Sequence, residues 1–252
     1  MRTIAKLSVF LLTGCGQQVT CPCVEAPGSS SSGSGSGAAA LKGCDGIPVP
    51  AADGLLDDFE DDDGQVTVLD GRDGYWWKNA DPMGSKFTAP PDGASLKWID
   101  GGANGSAKAL HVAGTTAGGS DDAYGIEVGT NVVSAKGETY DASRYVGISF
   151  MAKAGQSSIK KVRLNVGDVN THPDLNACDN CWNHFRKDFT LTTEWQEYRA
   201  SFEELEQRPG WGSPRPNAVS ADKIYTVTFA IEGGGDFELF VDDVQFLECK
   251  KL

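Results

Sequence analysis

This 252-residue sequence carries little of the usual equipment of an enzyme. Its three histidines are few for base chemistry, and none sits in a His-Glu-x-x-His motif; there is no Gly-x-Ser-x-Gly elbow and no phosphate-binding glycine loop. No local motif therefore marks zinc-protease, serine-hydrolase or nucleotide chemistry. Composition does not exclude a facing pair of carboxylates, because 35 residues are Asp or Glu. Basic residues number only 22, and the formal net charge of −13 argues against the basic footprint that nucleic acid or an anionic lipid surface requires. No apolar run is long enough to span a bilayer, and long amphipathic helix patterning is nearly absent.

The first fifty residues read as an export and tether segment. A basic start, Met1 to Lys6, precedes the short apolar run Leu7 to Leu12, as in a signal peptide. Leu12-Thr13-Gly14-Cys15 resembles the bacterial lipobox, which implies cleavage after residue 14 and lipid on Cys15. The alternative is a leftover cysteine in an ordinary leader. Residues 15–50 contain the low-complexity Gly/Ser stretch 27–37, which cannot bury a core and would act as a flexible tether with a reach of roughly 30 Å. Residues 51–249 are enough for one well-cored domain. The expected setting is a bacterial cell envelope, outer membrane or cell surface, with a monomer that meets the membrane only through its lipid. Membrane fractionation of a Cys15→Ser variant checks this, since the variant should be released.

The domain is organised around residues 159–202. Val162, Leu164 and Val166 alternate with Arg163 and Asn165, as in a strand with one buried face. A polar and aromatic loop follows, with His172, Cys178, Cys181, Trp182 and His184, before the chain returns through Phe185 to Phe189. Setting Cys15 aside leaves six cysteines, an even number that suggests disulfides in an exported protein. Cys178 with Cys181 is the local pairing, and Cys44 with Cys249 would join the ends of the domain. Cys21 and Cys23 have no obvious partner. A sharper alternative is a zinc site of Cys178 and Cys181 with His172 and His184, although the histidine spacings match no common finger; a redox-active Cys-x-x-Cys is disfavoured further, because no thioredoxin-like βαβ pattern surrounds it.

Beyond Pro50, short strands separated by Gly, Asp, Asn and Pro suggest an all-β sandwich. Nine strands are expected near 109–113, 124–128, 146–152, 160–166, 186–191, 196–201, 224–231, 237–241 and 244–247, with one helical turn within 202–207 and a loop at 208–214.

Three segments carry a resemblance: Leu56-Asp57-Asp58-Phe59-Glu60-Asp61, Tyr140-Asp141-Ala142-Ser143-Arg144-Tyr145-Val146-Gly147-Ile148-Ser149-Phe150, and Phe240-Val241-Asp242-Asp243-Val244. Together, over about residues 53–248, they resemble galactose-binding-like jelly rolls, in particular family 11 carbohydrate-binding modules and the related complex I intermediate-associated proteins. The resemblance implies a structural calcium held by Glu60 and Asp242, with Asp58 a weaker candidate; calcium takes six to eight oxygens, which carboxylates and loop carbonyls can supply. The alternative is that the acidic run is a solvated edge that discourages strand pairing.

The resemblance also implies a polysaccharide ligand, such as a β-glucan or a related plant or microbial glycan. Sugar recognition needs flat aromatic faces beside planar polar groups. The polar candidates are Arg163 and Asn165 on the outward side of the strand, with Asp168 and His172 at its end; the alternative for Arg163 is an ordinary surface pair with an Asp. Trp182, Trp76 and Tyr124 are the aromatic candidates. In the family-like opening the Gly-x-Trp segment packs inside, which assigns Trp77 to the core and leaves Tyr75 open. The leading expectation is a lipid-anchored, non-catalytic glycan-binding protein. A hydrolase or lyase on a β-sandwich and a surface scaffold or assembly protein are the alternatives.

Overall fold

A computed structural model describes residues 41–118, 124–156 and 158–251. Cys15, Cys21, Cys23, the signal-like segment and the Gly/Ser stretch lie outside the described residues.

Among the described residues, twelve strands form two antiparallel sheets. In chain order they are β1 (Ile47–Asp57), β2 (Trp76–Ala80), β3 (Lys86–Ala89), β4 (Trp98–Asp100), β5 (Lys108–Thr116), β6 (Ile126–Asn131), β7 (Gly147–Ala154), β8 (Lys161–Asp168), β9 (Phe185–Thr190), β10 (Gln196–Ser201), β11 (Ile224–Ile231) and β12 (Gly235–Lys250). One sheet has the order β10, β7, β12, β5, β3, with β1 added on β12 and β4 on β5. The other has the order β2, β6, β11, β8, β9. Phe59, Trp76, Leu110, Ile148, Phe150, Leu164, Val166, Phe229, Leu239 and Phe246 belong to the single buried cluster.

The expected strands are present, with two corrections. Segments 237–241 and 244–247 are one continuous strand, β12, which passes through a register shift between Asp242 and Gln245, with Asp243 at φ 47. Such a bulge adds a residue and bends a strand without ending it. Strands β1 to β4 were not expected, and β1 begins at Ile47, ahead of the boundary at residue 51. It carries Pro48 and Pro50 and pairs only with β12, so it is an edge strand, where a missing N–H is tolerated. The helical turn is the 3₁₀ turn Phe202–Glu204.

Both expected disulfides are formed. Cys44 and Cys249 join the two ends, with Cα atoms 5.5 Å apart, and Cys178 bonds Cys181. Sulfurs spent in that bond cannot serve as zinc thiolates, so the zinc alternative falls.

Candidate functional site

Alternation in β8 sends Val162, Leu164 and Val166 into the core and Arg163, Asn165 and Gly167 to the outer face of the five-stranded sheet. Cross-strand register then builds that face in rows. One row runs Asn79, Glu127, Ala230, Arg163, Asp188; the next runs Trp77, Gly129, Thr228, Asn165, Arg186. A third places Asn131, Thr226 and Gly167 side by side.

The floor is made of small residues by necessity. A Cβ on Gly129 would lie 2.5 Å from Thr228 Cγ2, and one on Gly167 would lie 2.6 Å from Thr226 Cγ2 and 2.9 Å from the His184 ring. Larger side chains surround the floor: half-buried Trp77 and 39% exposed Tyr124 on the β2 side, and 57% exposed Trp182 in the loop between β8 and β9, over His172. The Tyr124 hydroxyl donates to the Ala80 carbonyl at 3.1 Å and accepts from Asn79 Nδ2 at 2.8 Å.

Polar groups in the middle of the floor hold one another. Asn165 Nδ2 donates to Glu127 Oε1 at 2.8 Å and to Thr228 Oγ1 at 3.1 Å, and Thr228 Oγ1 donates to the same Glu127 oxygen at 2.6 Å. Burial pushes the Glu127 carboxyl above its usual range, which those two hydrogen bonds partly oppose. Arg163 is engaged on both sides, with Nε donating to Asp188 Oδ1 at 2.9 Å and Nη1 to Glu232. The ordinary ion pair is therefore what forms. Arg163 orders the face, and its fork is already committed to carboxylates.

Two sequence expectations are corrected. Asp168 does not face outward: it shares the parity of Val162, Leu164 and Val166 and is fully buried. Its Oδ1 accepts from Asn170 N at 2.9 Å and its Oδ2 from Ser220 N at 2.8 Å, so it closes a turn rather than offering acceptors to a ligand. The tryptophan assignment is reversed. Trp76 is the core residue, and its Nε1 donates to buried Asp57 Oδ2 at 2.6 Å, whereas Trp77 faces outward opposite Gly129.

His172 is nearly buried. Its ring lies 4.3 Å from Tyr225 and 4.8 Å from Trp182, and its Nδ1 accepts from Asp174 N at 3.3 Å. It supports the indole from below and is not itself presented to a ligand. Glu127, Trp77, Thr228 and Arg186 were missed by the sequence reading. The signal for Glu127 was there, because Ile126 and Val128 flank it in an alternating run.

The candidate calcium residues lie elsewhere, where β5 gives way to β1 along β12. Glu60 Oε1 accepts from Ser106 Oγ at 2.6 Å and from Lys108 N at 2.8 Å, and these bonds hold its carboxyl below the usual range. Asp242 is buried, accepts from Ala103 N at 2.7 Å and from Asp243 N at 2.8 Å, and is pushed up to about 6 by desolvation. A Cβ on Gly102 would lie 2.5 Å from both Asp242 Oδ2 and Ser106 Oγ, so the two carboxylates converge on one hydroxyl. Asp58 accepts from Glu60 N at 3.3 Å and lies close enough to help raise the Asp243 carboxyl, after desolvation, together with Glu60. Among the described residues no three His, Cys, Asp or Glu side chains come together as a metal-holding group. The donors present are oxygens, which suit calcium, but two carboxylates and a hydroxyl make only part of the required shell.

Beneath the Trp182 rim, His184 is buried, with Nδ1 2.9 Å from Thr171 Oγ1. Desolvation, and secondarily His172, lowers its pKa from 6.5 to about 3. The folded ring stays neutral between pH 6.5 and 3, where the unfolded chain takes up a proton. This contribution to stability is present above pH 6.5 and is lost as pH falls, at up to about 1.4 kcal/mol per pH unit. Urea unfolding of wild type and His184→Gln at pH 7.5 and pH 5 should show the stability gap between them narrowing at the lower pH. Parallel pH profiles would contradict the assignment.

No family model and no curated protein sequence matches the chain. Solved structures do. A family 11 carbohydrate-binding module from Clostridium thermocellum, solved with a β-1,3-1,4-mixed-linked tetrasaccharide, is 18% identical with a TM-score of 0.52, covering 80% of this chain and 100% of that one. The family 11 module of the cellulosomal cellulase Lic26A-Cel5E of the same organism is 18% identical with a TM-score of 0.50, covering 79% and 95%. The fold of the chain is thus the jelly-roll β-sandwich seen in carbohydrate-binding modules.

Proposed function

We propose that this chain is a non-catalytic binder of a neutral polysaccharide, such as a β-glucan, which lies across the outer face of the five-stranded sheet. One observation carries the reading: a floor of Gly129, Thr226, Thr228, Gly167 and Ala230 lies beside Trp77 and Tyr124, with Asn165 and Glu127 at its centre. Small residues let a sugar ring approach the sheet, aromatic faces take its C–H side, and planar amide and carboxylate groups take its hydroxyls. The four strand spacings from β2 to β9 give the floor a width of roughly 19 Å, enough for an extended oligosaccharide running across the strands. The tetrasaccharide bound by a similar module supports the ligand class. Glu127, Glu232 and Asp188 are each engaged by neighbours on the face, which favours binding over hydrolysis. Lipid on Cys15 and the Gly/Ser tether would hold this binder at the cell envelope.

Affinity electrophoresis in a soluble β-1,3-1,4-glucan tests the site. Trp77→Ala and Glu127→Gln should each weaken retardation by about tenfold, the scale of one lost stacking face or charged hydrogen bond, with little change in melting temperature. Unaltered retardation in both variants would move the site elsewhere. Failure of the wild type to bind any of a broad panel would favour the scaffold alternative, and release of reducing ends would favour the hydrolase.

We also propose that calcium completes its shell between Glu60 and Asp242 from backbone carbonyls and water. Wild type should melt higher in calcium than in chelator, because a ligand that binds only the folded state stabilises it. Glu60→Ala should abolish that difference. Equal melting of the wild type in both buffers would reject the ion.

A further inference from the structure

Trp182 is unusually held. Its indole is 57% exposed, yet its backbone sits at φ 73, a left-handed conformation that a bulky residue keeps only when its surroundings over-determine it. It directly follows Cys181, whose bond to Cys178 closes a small ring in the chain. Other restraints hold the residues around the ring. Trp182 N donates to the Thr171 carbonyl at 2.8 Å, Asp179 N to the Ser213 carbonyl at 2.9 Å and Ser213 N to the Asn180 carbonyl at 3.0 Å, while Asn183 Nδ2 donates to the Trp211 carbonyl at 2.6 Å; between Asn180 and Asn183 the disulfide and the Thr171 bond set the path. The indole rests edge-on against His172, which packs on Tyr225 from β11. The surface beneath the ring thus belongs to the sheet, while the backbone that carries the ring belongs to the loop.

The two disulfides differ in setting. Cys44 is buried and Cys249 partly exposed, and the bond between them lies at the paired ends of β1 and β12. Cys178 and Cys181 are both partly exposed, within a loop that has no strand of its own. With both of its cysteines partly exposed and neither in a strand, the loop pair is the more accessible to a reductant.

We propose that the Cys178–Cys181 disulfide is a redox latch that positions Trp182 as a stacking face, and that an external dithiol switches the rim off by opening it. The dithiol gives two electrons and two protons; the Cys178–Cys181 bond breaks, both cysteines become thiols, and the dithiol closes to its own disulfide. Without the ring, the backbone at Trp182 relaxes out of the left-handed region and the indole lifts from His172. No residue from 176 to 182 belongs to the buried cluster, so the sandwich persists. The effect on binding rests on the proposed glycan face; the movement of Trp182 does not.

The test uses the full chain, oxidised and after mild dithiothreitol treatment, with alkylation and peptide mapping to establish that Cys178 and Cys181 are open while Cys44–Cys249 is closed. Iodide quenching of the Trp182 emission, taken by subtracting the Trp182→Phe spectrum, reports the rim directly. Reduction should change that quenching, weaken retardation by soluble β-1,3-1,4-glucan by about tenfold, and be reversed on reoxidation. The paired substitution Cys178→Ser with Cys181→Ser should match the reduced protein and ignore dithiol. Unchanged quenching on reduction overturns the latch, as does full retention of glycan binding on reduction in a protein that loses it with Trp182→Ala. If the oxidised wild type binds no glycan, the glycan reading fails and quenching alone decides the latch.

Discussion

The continuity of β12 is the constraint on which the rest of the structure depends. Its first half pairs with β5, its second half with β1, and its opposite side with β7. The handover from β5 to β1 takes place at the Asp242–Asp243 bulge, where the extra residue bends the strand. No strand runs beside Asp242 at that gap, so its carboxylate satisfies the loop N–H of Ala103 instead. The acidic cluster at this place follows from the strand geometry. Its burial cost is visible in the raised Asp242 pKa, which is the condition a cation would relieve.

A second restraint fixes the path of the chain leaving β1. Arg72 is fully buried, with Nη1 donating to the Tyr140 hydroxyl at 2.8 Å and Nη2 to the Asp53 carbonyl at 2.6 Å. Its guanidinium also lies 5.2 Å from the centre of the Tyr140 ring. A buried charge with such partners tolerates little displacement, because uncovering the hydroxyl or the carbonyl leaves polar groups unpaired at several kcal/mol. Three segments distant in sequence are thereby held in register.

The sequence revealed most where one strand could be read by itself. The parity of Val162, Leu164 and Val166 placed Arg163 and Asn165 correctly, and the same count carried two residues further puts Asp168 inside. Strands β1 to β4 were not legible because their residues fit an edge: Pro48 and Pro50 read as breakers, and β3 and β4 are too short to show a period. Adjacent tryptophans face opposite sides of any strand, and which one enters the core was decided by a partner for Trp76 Nε1, namely Asp57, nineteen residues away. The centre of the candidate face joins Asn165 to Glu127 and Thr228, at separations of 38 and 63 residues, so it existed only in the cross-strand register.

The position of Cys44 has a mechanical consequence. It precedes β1, an edge strand whose one strand partner among the described residues is β12, and whose ladder to β12 would peel one bond at a time under a pull from its amino-terminal end. A pull arriving through the residues before Cys44 crosses the bond to Cys249 and enters β12, which lies between β7 on one side and β5 and β1 on the other. The load then falls on many strand contacts in shear, and β1 is bypassed. A molecule held by a glycan on one sheet and by its own chain through the other would transmit tension across the sandwich without unzipping it.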